Sequence, residues 1–259
     1  MGHIRLKRLP ASRKWQQVVS LLSAGASVEQ LASASAAAAE HALLGARADP
    51  ALTHAFWLLT QLPLAARAPD FRAATSSLGI NVGQDASLIE IVAAYGDAVD
   101  RAAMGRSGRT DLGEMARNAA AESIATIAGA GLPRLFGATA DDVRLELGKL
   151  AAPDRFARLA RDFFARLTEK HLDFYLSRAV PNHIGRGQLL ASTSDHISFN
   201  AALELHCHEA SRIVEAFAGG WFSKTHFEGG ITPENARGFV FVALNKINAE
   251  LKRRENGGG

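Results

Sequence analysis

The run Leu205-His206-Cys207-His208-Glu209 is where this chain concentrates side chains able to hold a metal or move a proton. Residues one and two positions apart on a helix point in different directions, so three ligands in succession cannot close on one ion. His206 and Cys207 continue an apolar stripe with Phe199, Leu203, Ala210, Ile213, Val214 and Phe217, while His208 falls on the polar side beside Glu204 and Arg212. The expectation is a core histidine and a core cysteine packing as a small hydrophobe, with no metal site. Cys207 is the one cysteine, so neither an internal disulfide nor a thiolate zinc cluster can form, which fits a reducing compartment.

A second pattern is Arg-x-x-x-x-His, present at Arg166 to His171 and again at Arg178 to His183. It resembles the motif of the HEPN family, all-α proteins many of which are metal-independent ribonucleases. The resemblance implies an arginine that stabilises the phosphate and a histidine that does acid and base work on the 2′-hydroxyl, the two joined across a dimer. Family members tend to carry a polar residue just after the arginine, where Leu167 and Ala179 stand here. Arg166 and His171 are five apart, which does not place them well on one helical face, and Pro181 bends the chain between Arg178 and His183.

Chemistry of contact is the third reading. The segment Trp221-Phe222-Ser223-Lys224-Thr225-His226-Phe227-Glu228, bracketed by Gly219-Gly220 and Gly229-Gly230, sets three aromatic rings beside Lys224 and His226. Read as a projecting loop, it offers Trp221, Phe222, Lys224, His226 and Phe227 to a partner; read as a lid, it folds its rings onto the bundle. Basic residues gather at the ends, with Arg5, Lys7 and Arg8 in an arm from His3 to Lys14 and Lys252, Arg253 and Arg254 near the other terminus. Such an arm suits an acidic partner, protein or nucleic acid.

Helix start and stop signals organise the rest. Ser12 opens a helix through Leu22 that Gly25 stops, and Ser27 with Gln30 caps an Ala-rich helix to about Arg47. Asp49-Pro50 begins another, which Pro63 kinks or ends, and a short helix follows from Asp70 to Leu78. Ser87 with Glu90 caps a helix to about Met104, Asp111 starts one to about Ala128, and Thr139 caps Asp142 to Leu150. Pro153 opens the longest, to about Arg178, with Phe156, Leu159, Phe163, Leu167, His171 and Phe174 on one buried stripe. A helix from Asp195 to Ala218 would hold its flanking connections about 36 Å apart, and Thr232-Pro233 opens the last helix. The two long connections, Ala179 to Ser194 and Gly219 to Ile231, are the places where function is expected.

These elements predict an all-α fold: a compact bundle or irregular helical array of about nine to ten helices without significant sheet. A weak boundary near the Gly129 to Thr139 breakers separates residues 1–130, with the basic arm, from 131–259. The 259 residues, 47% hydrophobic and 21% charged, supply a sizeable core, and the net charge of +3 is too small to define a nucleic-acid binder by itself. No apolar run reaches the ~20 residues of a membrane span, and the basic amino terminus lacks the apolar stretch of a secretory signal, so a cytoplasmic protein is expected. Abundant alanine and the preference for arginine over lysine hint at a GC-rich bacterial genome.

The Walker phosphate loop, the dinucleotide Gly-x-Gly-x-x-Gly, His-Glu-x-x-His and Gly-x-Ser-x-Gly are all missing, and no cofactor is expected. Three functions compete: a non-catalytic adaptor or subunit binding other proteins or itself, a HEPN-like ribonuclease, and a nucleic-acid binder working through its basic arm. The first accounts for most features, which makes an enzyme the less favoured alternative.

Overall fold

The structure, a computed structural model, describes residues 13–27, 30–35, 37–38, 49–106, 110–133, 137–179 and 193–256. Ten helices with defined ends run in order: α1 Arg13–Ser23, α2 Pro50–Ala66, α3 Phe71–Ser77, α4 Leu88–Arg106, α5 Asp111–Gly129, α6 Ala140–Lys149, α7 Pro153–Ala179, α8 Thr193–Ala210, α9 Arg212–Phe227 and α10 Pro233–Asn256. Residues 30–35 and 37–38 are helical as well, and no sheet forms among the described residues. The chain is an all-α array.

Local chemistry starts these helices where the capping residues stand. Asp49 Oδ1 accepts from the amides of Ala51 and Leu52 at 2.8 and 2.9 Å, with Pro50 in the first turn, where its missing N–H leaves nothing unsatisfied. The Thr139 hydroxyl and the Asp142 carboxylate cap each other's amides at the start of α6, and Ser87 and Glu90 do the same for α4. Pro63 does not end α2, which continues to Ala66. Its neighbours are buried against the core, and tertiary packing outweighs the one hydrogen bond that the proline removes.

α2 and α7 are the axes of the array. α2 packs on α4, α5, α6 and α10, while α7 packs on α5, α8 and α9. They meet through rings: Phe56 of α2 lies 5.3 Å from Phe164 and 5.7 Å from Phe163 of α7, and stacks on Phe239 of α10 at 5.0 Å. One contiguous cluster of buried side chains runs from Val18 to Leu251 and draws on both sides of residue 130. Tyr95 is fully buried in it, its hydroxyl donating to the Ala55 carbonyl at 2.5 Å, and burial pushes its ionisation well above the ordinary range.

The region after residue 193 departs from the sequence expectation. Instead of one helix from Asp195 to Ala218, the chain breaks at the buried Ser211 and restarts as α9. Arg161 of α7 bridges the break: its Nη1 lies 2.9 Å from Glu215 Oε2 of α9, its Nη2 3.7 Å from Glu209 Oε1 of α8, and its Nε donates to the His208 carbonyl. The expected loop after Gly219 is helix as far as Phe227. Gly219 sits inside α9 because α9 crosses the first turn of α7 closely: a β-carbon there would lie 2.7 Å from the Pro153 carbonyl oxygen. The second glycine pair ends α9, with Gly229 and Gly230 at φ 138° and 90° and the Gly230 amide donating to the His226 carbonyl.

Candidate functional site

Splitting the aromatic segment across a helix gives its rings different fates. Phe222 is 2% exposed and stacks on Phe156 of α7 with centroids 4.0 Å apart. Trp221 is half-buried, 4.3 Å from the ring of Phe239 and 6.1 Å from that of Phe56. Phe227, at the end of α9, is 92% exposed. Lys224 and His226 are also exposed there, with Lys224 Nζ 3.9 Å from Glu228 Oε1. The connection to α10 is pinned from the other side, because the Trp57 indole and the Gln61 amide both donate to the Ile231 carbonyl. Trp221 and Phe222 therefore belong to packing, and Phe227, Lys224 and His226 form a solvent-facing tip.

Arg166 and His171 lie on α7 in contrasting surroundings. The Arg166 guanidinium spans Asp162 at 2.7 Å, Glu122 at 3.3 Å and the Thr126 hydroxyl at 3.2 Å. Burial works against its charge, but Asp162 and Glu122 outweigh that and hold it more firmly protonated than an ordinary arginine. His171 is 2% exposed, and burial pushes its pKa down to about 4, which keeps the imidazole neutral. The Arg178 side chain and His183 lie outside the described residues, as do Arg5, Lys7 and Arg8.

Around Arg166 a seam of charge joins α5, α7 and α8. Lys170 Nζ also reaches Glu122, at 2.8 Å, and His208 Nε2 comes within 3.9 Å of Asp162 Oδ1. Glu169 is held above the usual carboxylate range by burial and by the like charge of Glu204. His206 and Cys207 are 6% and 0% exposed, and burial pushes the Cys207 thiol far up, with Glu169 and Glu204 adding to the effect. Among the described residues no group of three His, Cys, Asp or Glu is placed to hold a metal ion, and no helix is long and apolar enough to cross a membrane.

Two residues that the sequence did not single out, Arg67 and Arg144, come together at the ends of α2 and α6. Arg144 of α6 donates from Nε to the Ala66 carbonyl at 3.1 Å and from Nη2 to the Ala68 carbonyl at 2.5 Å, satisfying carbonyls at the end of α2. Arg67, which caps α2, reciprocates from Nε to the Gly148 carbonyl of α6 at 2.7 Å. Each arginine thus satisfies the last turn of the other's helix. Their separation in sequence, 78 residues between Arg144 and Ala66, leaves no local spacing that could have revealed them.

Comparison with known proteins adds no functional information: neither a protein-family model, nor a curated protein, nor a solved structure matches this chain.

Proposed function

We propose that the chain is a non-catalytic helical interaction subunit of an intracellular assembly, and that the end of α9 is a contact surface. The observation carrying this reading is the 92% exposure of Phe227, beside neighbours that the same helix turns into the core. An aromatic ring left in water gives up the burial worth roughly 1.5 to 3 kcal/mol that a core position would supply, and such rings are frequent anchors of binding. Lys224, His226 and Glu228, exposed next to it in the chain, are polar, the usual composition of an interface edge.

A ribonuclease built on Arg166 and His171 fits less well. Asp162 and Glu122 occupy the guanidinium that a phosphate would need, and a neutral histidine in the core has no route to a substrate proton. The Arg178 and His183 pair, and a nucleic-acid contact through Arg5, Lys7 and Arg8, are the competing readings for the test.

The experiment is purification from the native host of wild-type protein and of Phe227→Asp, with sedimentation to count copies. The expected result is a stoichiometric partner, another protein or a second copy, that the variant loses at an unchanged melting temperature. Metal-independent RNA cleavage abolished by Arg178→Ala would overturn the reading. So would a salt-sensitive nucleic-acid complex lost when Arg5, Lys7 and Arg8 become alanine while Phe227→Asp keeps it.

A further inference from the structure

A groove of about 600 Å³ opens where α2 ends against α6, and Arg67, Arg144, Leu145 and Lys149 are among its walls. It continues past Asp141 and Arg144, shared by both parts, into a second depression of about 410 Å³ beside α3, where Phe71 and Arg72 stand. Three arginines, Arg67, Arg72 and Arg144, face two carboxylates, Asp70 and Asp141, while Lys149 is ion-paired with Glu146. One of those carboxylates is already engaged, since Asp70 Oδ1 accepts from the Ala73 amide as the cap of α3.

The arginines are uncompensated. Arg117, Arg161, Arg166, Arg212 and Arg237 each meet a carboxylate. Among the described residues Arg67, Arg72 and Arg144 meet none, and the polar contacts of Arg67 and Arg144 are to backbone carbonyls. Those contacts fix the stem and Nε edge of Arg67 while both its Nη nitrogens keep their donors, and they leave Nη1 of Arg144 in the same state. A guanidinium held by one edge presents the other as a preorganised fork for carboxylate, because little rotamer freedom is left to lose on binding.

We infer that this groove docks an acidic peptide segment of a protein partner, one with an apolar side chain set between its carboxylates. Leu145, 59% exposed on the groove wall, and the half-buried Phe71 supply apolar surface for that side chain. Arg67, Arg144 and Arg72 take the carboxylates. A nucleic-acid strand fits the same charge less well, since no exposed aromatic ring stands in the larger part for a base to stack on. The surface is distinct from the α9 tip, and the inference stands whether or not Phe227 has a partner.

The test uses the full chain and a fluorescein-labelled peptide of sequence Glu-Asp-Leu-Glu-Asp, followed by fluorescence anisotropy. Wild-type protein binds it saturably and more weakly as salt rises. Asp141→Asn removes a repelling charge and tightens binding by about two- to fivefold, a gain that misfolding cannot mimic. Leu145→Asp, at an exposed position that leaves folding intact, weakens it by at least about tenfold. Absence of saturable binding overturns the inference, as does indifference to both substitutions. Equal or tighter binding of a uridine oligonucleotide carrying the same number of charges also overturns it, assigning the groove to phosphate.

Discussion

Gly219 and Pro153 stand so close that a β-carbon on Gly219 would lie 2.7 Å from the Pro153 carbonyl oxygen and 3.0 Å from its carbon, whereas Gly220 next to it faces open space. The pair therefore makes opposite predictions. Gly219→Ala must push α9 off backbone that cannot yield, at a loss of about 1 to 3 kcal/mol. Gly220→Ala adds a good helix former to an exposed helical position and stabilises by about 0.5 to 1 kcal/mol. Thermal melts of the two variants check this. Equal effects would mean that α9 does not cross α7 as described.

The two fates of the aromatic segment give a second contrast. Phe222→Ala removes a ring stacked in the core and should destabilise by about 3 to 5 kcal/mol. Phe227→Ala removes an exposed ring and should stay within about 0.5 kcal/mol of wild type. Urea titration of both variants measures the difference, and a Phe227→Ala loss comparable to that of Phe222→Ala would place Phe227 in the core.

His171 predicts a dependence on pH with a definite sign. Its folded pKa near 4 lies below the ordinary 6.5, so between those values the unfolded chain takes up a proton that the folded chain refuses. Stability from this group is complete above about pH 6.5 and is lost as pH falls towards 4, by an amount of order 3 kcal/mol. Glu169, raised by burial and Glu204, works in the opposite sense. The difference between wild type and His171→Leu therefore carries the test: it should shrink by that amount across the window, and a constant difference would show that His171 titrates normally.

What was legible in the sequence was local. Asp49 before Pro50, Ser87 with Glu90 and Thr139 with Asp142 announce helix starts because a cap depends on residues within one turn. The stripe through His206 and Cys207 announced their burial for the same reason. The glycine pair at Gly219 misled because two glycines in a row look the same whether they free a loop or let two helices touch, and the Pro153 carbonyl that decides between these is 66 residues away in the chain. Arg161 reaches across the break at Ser211 from another helix, and the groove is framed by Arg67 and Arg144, which exchange bonds across about as long a stretch. No window of sequence contains both partners of any of these contacts.

Arg161 itself supports the last prediction. Its guanidinium joins α8 to α9 across the buried turn at Ser211, through Glu209, Glu215 and the His208 carbonyl. Glu209 keeps Arg212 as a second partner at 3.0 Å, so removing Glu215 alone should cost little, below about 1 kcal/mol as for partly exposed pairs. Removing Arg161 takes all three contacts at once, including the ion pair of Glu215. Arg161→Ala should therefore destabilise by about 1 to 3 kcal/mol. Arg161→Lys should not restore the loss, because a single ammonium cannot reach a carbonyl and two carboxylates that diverge around a planar fork. Hydrogen exchange at the Ser211 and Val214 amides, which donate to the Cys207 and Ser211 carbonyls at the break, would report the local opening directly. Faster exchange there in Arg161→Ala, with α2 unchanged, is the expected outcome. Exchange that rises equally throughout the array, or full recovery with lysine, would show that the break at Ser211 holds without the arginine.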